Sequence, residues 1–98
     1  MLIISRIKKY TRLYAPHTMF VDSGSVECTN YPVNTDHVSW IQTDATVPCP
    51  GNVWKPAIVF HFVHKDSVTW AGYETEEQRD LAVQAIQMKM KSAEISHL

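Results

Sequence analysis

Ala57-Ile58-Val59-Phe60-His61-Phe62-Val63-His64, then Ser67-Val68-Thr69-Trp70-Ala71-Gly72-Tyr73, then Glu74-Thr75-Glu76-Glu77-Gln78-Arg79-Asp80 is the run that decides the fold. The first segment is short, β-branched and aromatic, and apolar at odd and even positions alike. It therefore reads as a central strand, covered by a helix on one side and by a loop or partner on the other. The polar step His64-Lys65-Asp66-Ser67 is a tight turn into a second strand, in which Val68 and Trp70 share one face and Thr69 and Ala71 the other.

The third segment opens a helix over about 76–93. Thr75 and Gln78 have the spacing of a capping box, and Glu76 and Glu77 place negative charge at the positive end of the helix dipole, with Lys89 and Lys91 toward the other end. Ala82, Val83, Ile86, Met90 and Ala93 recur at steps of three and four and form the stripe that docks on a sheet. Leu81, Ala85, Met88 and Ile95 form a second stripe on roughly the opposite side. One helix cannot bury two opposed faces against one sheet, so this outer stripe is a candidate interface.

Working outward, residues 44–56 carry Pro48, Pro50 and Pro56 with Gly51 and Asn52 between them. They read as a long proline-rich loop, the kind of segment that often carries contacts, with Trp54 as its candidate contact residue. Before it, residues 38–43 form a strand with Val38 and Trp40 on one face and Ile41 on the other. Asn34-Thr35-Asp36-His37 offers side chains that bond their own backbone in a turn, and Tyr31-Pro32-Val33 is extended. Residues 2–10 alternate as a strand that then turns basic, residues 15–18 interrupt it, and residues 19–21 and 26–29 are short strands around a turn at 22–25. The expected fold is α+β: an antiparallel β-meander of four to six strands packed against one C-terminal α-helix, in a single domain of 98 residues.

Composition bounds the function classes. A hydrophobic share of 45% with three Trp and three Gly argues against disorder. No apolar run approaches the roughly 20 residues of a membrane helix. Leu2, Ile3 and Ile4 precede Lys8, Lys9 and Arg12, the reverse of a signal peptide, so the reading is cytoplasmic, with Cys28 and Cys49 reduced. A net charge of −1 excludes strong global attraction to nucleic acid or membrane.

Residues that could carry chemistry do not converge. His61 and His64 fall on opposite faces of a strand, and Cys28, Cys49, His17 and His37 lack paired ligand spacing, so no metal or cofactor is expected. Cys49, between two prolines in the loop, reads as accessible, but no glycine-rich elbow or phosphate loop accompanies it, and no catalytic residue is assigned. Tyr10 and Tyr14 interleave with Arg6, Lys8, Lys9 and Arg12, an arrangement in which rings stack bases and cations follow phosphates.

The succession from Pro32 to Ile41, a hairpin, and then Tyr73-Glu74-Thr75-Glu76-Glu77-Gln78-Arg79-Asp80 entering a helix resembles small uncharacterised phage and bacterial proteins with a FlbD-like or pleckstrin-homology-like β-meander and a C-terminal helix. The resemblance covers about residues 31–90; residues 12–30 and 47–56 depart from the compact pattern. It implies a small adaptor or phage accessory protein, with no catalytic residues to carry over.

The expected function is a non-enzymatic protein-interaction module that binds a protein partner or forms a homodimer through Leu81, Ala85, Met88, Ile95 and Trp54. Within the resemblance, it would bind and inhibit a host or defence protein. The alternative is a nucleic-acid or small-ligand binder using Arg6, Lys8, Lys9, Arg12, Tyr10 and Tyr14 with the proline-rich loop.

Overall fold

The computed structural model describes residues 1–13, 24–64 and 66–96, with side chains described as far as residue 91. The expected strand at 19–21, most of the turn at 22–25, His17, Tyr14, Lys65 and the side chains of Ala93 and Ile95 lie outside the described residues. The architecture is α+β. A three-stranded antiparallel meander is built from β5 (Val38–Cys49), β6 (Val53–Phe62) and β7 (Ser67–Trp70), in that order, and is followed by one helix, α1 (Glu76–Ser96). Two small antiparallel sheets flank it. One pairs β1 (Leu2–Ile3) with β4 (Val33–Asn34), and the other pairs β2 (Lys9–Leu13) with β3 (Ser25–Thr29).

The doubly apolar strand is central, as its sequence requires. Ile58 and Phe60 are fully buried on the helix side, with Trp70, Val83 and Ile86. Phe60 meets Trp70 edge to face, ring centroids 4.7 Å apart. On the opposite side Ala57 and Ala71 join Val47 and Cys49 in a second, smaller cluster beneath Tyr10 of β2. The chain's own first hairpin thus covers part of the face that the sequence left to a loop or a partner.

Residues 44–56 are not a loop. They are the distal half of a long hairpin, in which Cys49 pairs with Val53 across a three-residue connection and Thr46 and Pro48 face Pro56 and Trp54. Pro50 precedes Gly51 at φ +87° and Asn52 at φ +56°, so the turn uses proline's fixed φ and then two residues able to enter the left-handed region. The other two prolines are tolerated because neither needs two ladder partners. Pro48 lies on an edge strand, and Pro56 lies beyond the end of β7. The same geometry buries Cys49, which the sequence reading left accessible; Cys28 is half-buried, and both thiols are unbridged.

Two bulges set the phase of β5. The register slips between Val38 and Trp40 and again between Gln42 and Ala45. The first slip overturns the simple alternation: Val38 and Ile41 both pack on the main core, while Trp40 is 54% exposed on the far side. The start of the helix follows the sequence closely. Gln78 donates its amide to the Thr75 hydroxyl at 3.2 Å, while its side chain reaches back to the amide of Glu74, one residue earlier than a standard box, at 2.9 Å. The helix runs about a turn further than residue 93, so Lys89 and Lys91 precede its last turn.

Candidate functional site

A groove of about 490 Å³ runs between residues 3–7 and α1. Its first wall is extended chain with little secondary structure of its own, and a buried polar clamp holds it in place. The Asn30 side-chain amide donates to the carbonyls of Ile7 at 2.7 Å and Ala71 at 2.9 Å and to the Ser5 hydroxyl at 3.3 Å, while its carbonyl accepts from the Ala71 amide at 3.0 Å. The Ser5 hydroxyl in turn donates to the Ile7 carbonyl at 2.7 Å. Asn30 thereby acts as a surrogate strand, satisfying backbone groups that no sheet reaches. Beside it, Gly72 sits at φ +104°, where a Cβ would lie 2.7 Å from the Ile7 side chain.

The second wall is α1, fixed at its start by the cap, by Lys55 paired with Glu74 at 3.0 Å, and by buried Arg79, which donates to the Ala45 carbonyl at the second bulge at 3.3 Å. Ile3, Ile7, Trp70, Tyr73 and Ile86 make an apolar floor. Burial pushes the Tyr73 phenol above its usual pKa, with a Ser5 hydrogen bond working against the shift. Ile4, Leu81 and Ala85 form exposed apolar lips, and Arg6, Gln78 and Lys89 add polar groups to the rim. The volume lies within the roughly 300–1,000 Å³ of ligand pockets. The groove supplies apolar contact and positive charge; its ionisable groups are Arg6, Lys89 and Tyr73, which offer no paired nucleophile and base.

The residues singled out from sequence fall in three places. Leu81 (59% exposed) and Met88 (70%) lie on the outward side of α1, with exposed Ala85 turning into the groove. Trp54 is 65% exposed near the hairpin tip, well removed in the strand register from the base of the sheet. The basic set does not form one track. Arg6 is on the groove rim and Lys8 is exposed, but Lys9 pairs with Glu27 at 3.1 Å and Arg12 is half-buried. Tyr10 packs into the second cluster, with its phenol pushed up to about 12 by burial first and by neighbouring Cys28 next, while Arg12 pulls the other way.

Two features escaped sequence reasoning. Asn30 gave no signal, because its partners lie 23 to 41 residues away. His61 is half-buried, its ring stacked on Trp40 at 4.0 Å with 7° between planes, and Nε2 meets the Gln42 side-chain oxygen at 3.1 Å. Their cross-strand pairing follows from the first bulge. Among the described residues, no three His, Cys, Asp or Glu side chains converge, and no helix is long and apolar enough to cross a membrane.

Comparison with family models, with curated proteins and with solved structures finds no match to this chain.

Proposed function

We propose that this chain is a non-enzymatic interaction protein that takes an apolar segment of a protein partner into the groove between residues 3–7 and α1. The observation that carries this reading is the groove itself: a preformed apolar floor, exposed apolar lips at Ile4 and Leu81, and two cations at the rim. Such a surface suits an aliphatic or aromatic anchor flanked by acid. The resemblance of residues 31–90 adds a setting, that of a phage accessory protein whose binding occludes a host or defence protein.

The dispersal of the basic residues favours this reading over nucleic-acid binding. A backbone track needs cations in series, whereas Lys9 is neutralised by Glu27 and Tyr10 is packed inward.

The test is a direct titration of a partner recovered with the wild-type chain and then purified. Ile4→Asp places a charge on the groove lip without entering the core and should weaken binding by about tenfold or more at an unchanged melting temperature, the loss expected for one apolar anchor. Undiminished affinity, or loss only on Met88→Glu outside the groove, overturns the assignment. Steeply salt-dependent binding of a single-stranded oligonucleotide, indifferent to Ile4→Asp, would move the function to nucleic acid.

A further inference from the structure

We infer that α1 pairs with α1 of a second copy, antiparallel and across a two-fold axis, through the outward face centred on Leu81 and Met88. This face adjoins the groove at Leu81, which belongs to both, while Met88, Glu77 and Lys91 lie outside the groove lining. At 100° per residue Leu81 and Met88 lie within about 20° of each other, and both stand away from the buried pair Val83 and Ile86. Among the described residues they are the two most exposed large apolar side chains of the helix.

The charges on the same flank decide what covers this face. Glu77 and Lys91 are both exposed, and neither is engaged in an ion pair among the described residues, whereas Asp80 is held by Arg79 at 3.2 Å. Fourteen residues apart, Glu77 and Lys91 lie within about 40° of each other, on one side of the Leu81–Met88 line. A two-fold axis passing between Gln84 and Ala85 sets Leu81 of each copy opposite Met88 of the other. The same axis has Glu77 and Lys91 about seven residues to either side, so each Glu77 meets the other copy's Lys91. Parallel pairing in register would leave Glu77 of one copy and Lys91 of the other about 21 Å apart along the helices, without an opposite partner, so the charge order selects the antiparallel arrangement. The interface is isologous and contains every contact twice. Leu81 is its edge nearest the groove, and Lys89 and Gln78 stay on the groove side.

One helix pair belongs to the low end of interface sizes, below about 1,200 Å², so the dimer forms with micromolar or weaker affinity. Sedimentation equilibrium of the whole chain, from low to high micromolar, tests it. The wild type should show a concentration-dependent dimer, and Met88→Glu should be monomeric throughout with its melting curve retained. Glu77→Lys alone and Lys91→Glu alone should each weaken the dimer by about tenfold, because two symmetry-related pairs become repulsive. The double variant should restore it. Each single change also alters the helix-dipole energy of the monomer, but only a direct Glu77–Lys91 contact predicts rescue of the dimer constant. A wild type that stays monomeric, a dimer that survives Met88→Glu, or a double variant no better than the singles overturns the inference, whereas partner binding in the groove is read separately at Ile4, outside the dimer face.

Discussion

Asn30 shows how much one polar side chain can determine. It is buried and commits both ends of its side-chain amide to the backbone of Ile7 and Ala71 and to Ser5. Removing it takes the side-chain partner from the Ala71 amide and carbonyl, each costing about 1–3 kcal/mol when buried, and leaves the Ile7 carbonyl with the Ser5 hydroxyl alone. Asn30→Ala should therefore destabilise by about 3–5 kcal/mol, measured as the shift in denaturant-unfolding free energy. Asn30→Asp should do no better at neutral pH, because a carboxylate oxygen would face the Ile7 and Ala71 carbonyls where the amide donated. A loss near 1 kcal/mol in either variant would mean that water replaces the clamp. Nothing in Thr29-Asn30-Tyr31-Pro32 marks this role, since local pattern sees only a polar residue between a short strand and an extended proline segment. By contrast, Asn34 was legible. Its side chain accepts from the Asp36 amide at 3.0 Å and caps the 3-10 turn Thr35–His37, a bond that spans two residues.

At the scale of elements, α1 is the part most completely written in the chain. Its cap is a local hydrogen-bond pattern, and its stripe of Ala82, Val83, Ile86 and Met90 meets the core as the spacing demands. A helix stabilised mainly by docking should respond far more to its buried face than to its cap. Val83→Asp should cost several kcal/mol, from a buried charge without a partner, against about 1 kcal/mol for Thr75→Ala. Equal melting temperatures for the two variants would refute this ranking. Arg79 was less legible. A charged residue in the first turn reads as solvated, yet it is buried and answers the carbonyl left at the second bulge of β5. The β5–β6 hairpin was the least legible element, because prolines at 48, 50 and 56 mark a loop unless one knows which ladder sides lack a partner.

At the scale of the molecule, two apolar clusters lie on the two faces of one meander, and each carries a tyrosine that folding perturbs. Burial raises the Tyr73 phenol in the main core, and the Tyr10 phenol in the smaller cluster rises from 10.0 to about 12. Above a pH of about 10, the unfolded chain releases protons that the folded chain still holds. The stabilising effect of these raised values is complete below that pH and is lost as pH climbs through the folded values, up to about 12 for Tyr10. Denaturant midpoints should be flat in this respect up to about pH 10 and fall beyond it, and Tyr10→Phe should shallow the fall. An identical alkaline slope in wild type and Tyr10→Phe would show that Tyr10 titrates normally in the folded protein.

What the sequence determined by itself is whatever short-range chemistry can specify: the capped helix and its docked stripe, the doubly apolar central strand with its neighbour after a tight turn, the Asn34 turn, and hence the α+β class. Side chains a few residues apart bond or align in the same way whatever the rest of the chain does. Tertiary structure alone decided the phase of β5, because a bulge inserts one residue and reverses every face beyond it; this is what brings Trp40 onto His61 and turns Val38 inward. It decided that residues 44–49 and 53–56 are strand, because ladder partners and the end of β7 lie elsewhere in the chain. It also made the groove, since one wall is irregular backbone that holds its course only through Asn30, and the shape between two elements is a property of neither.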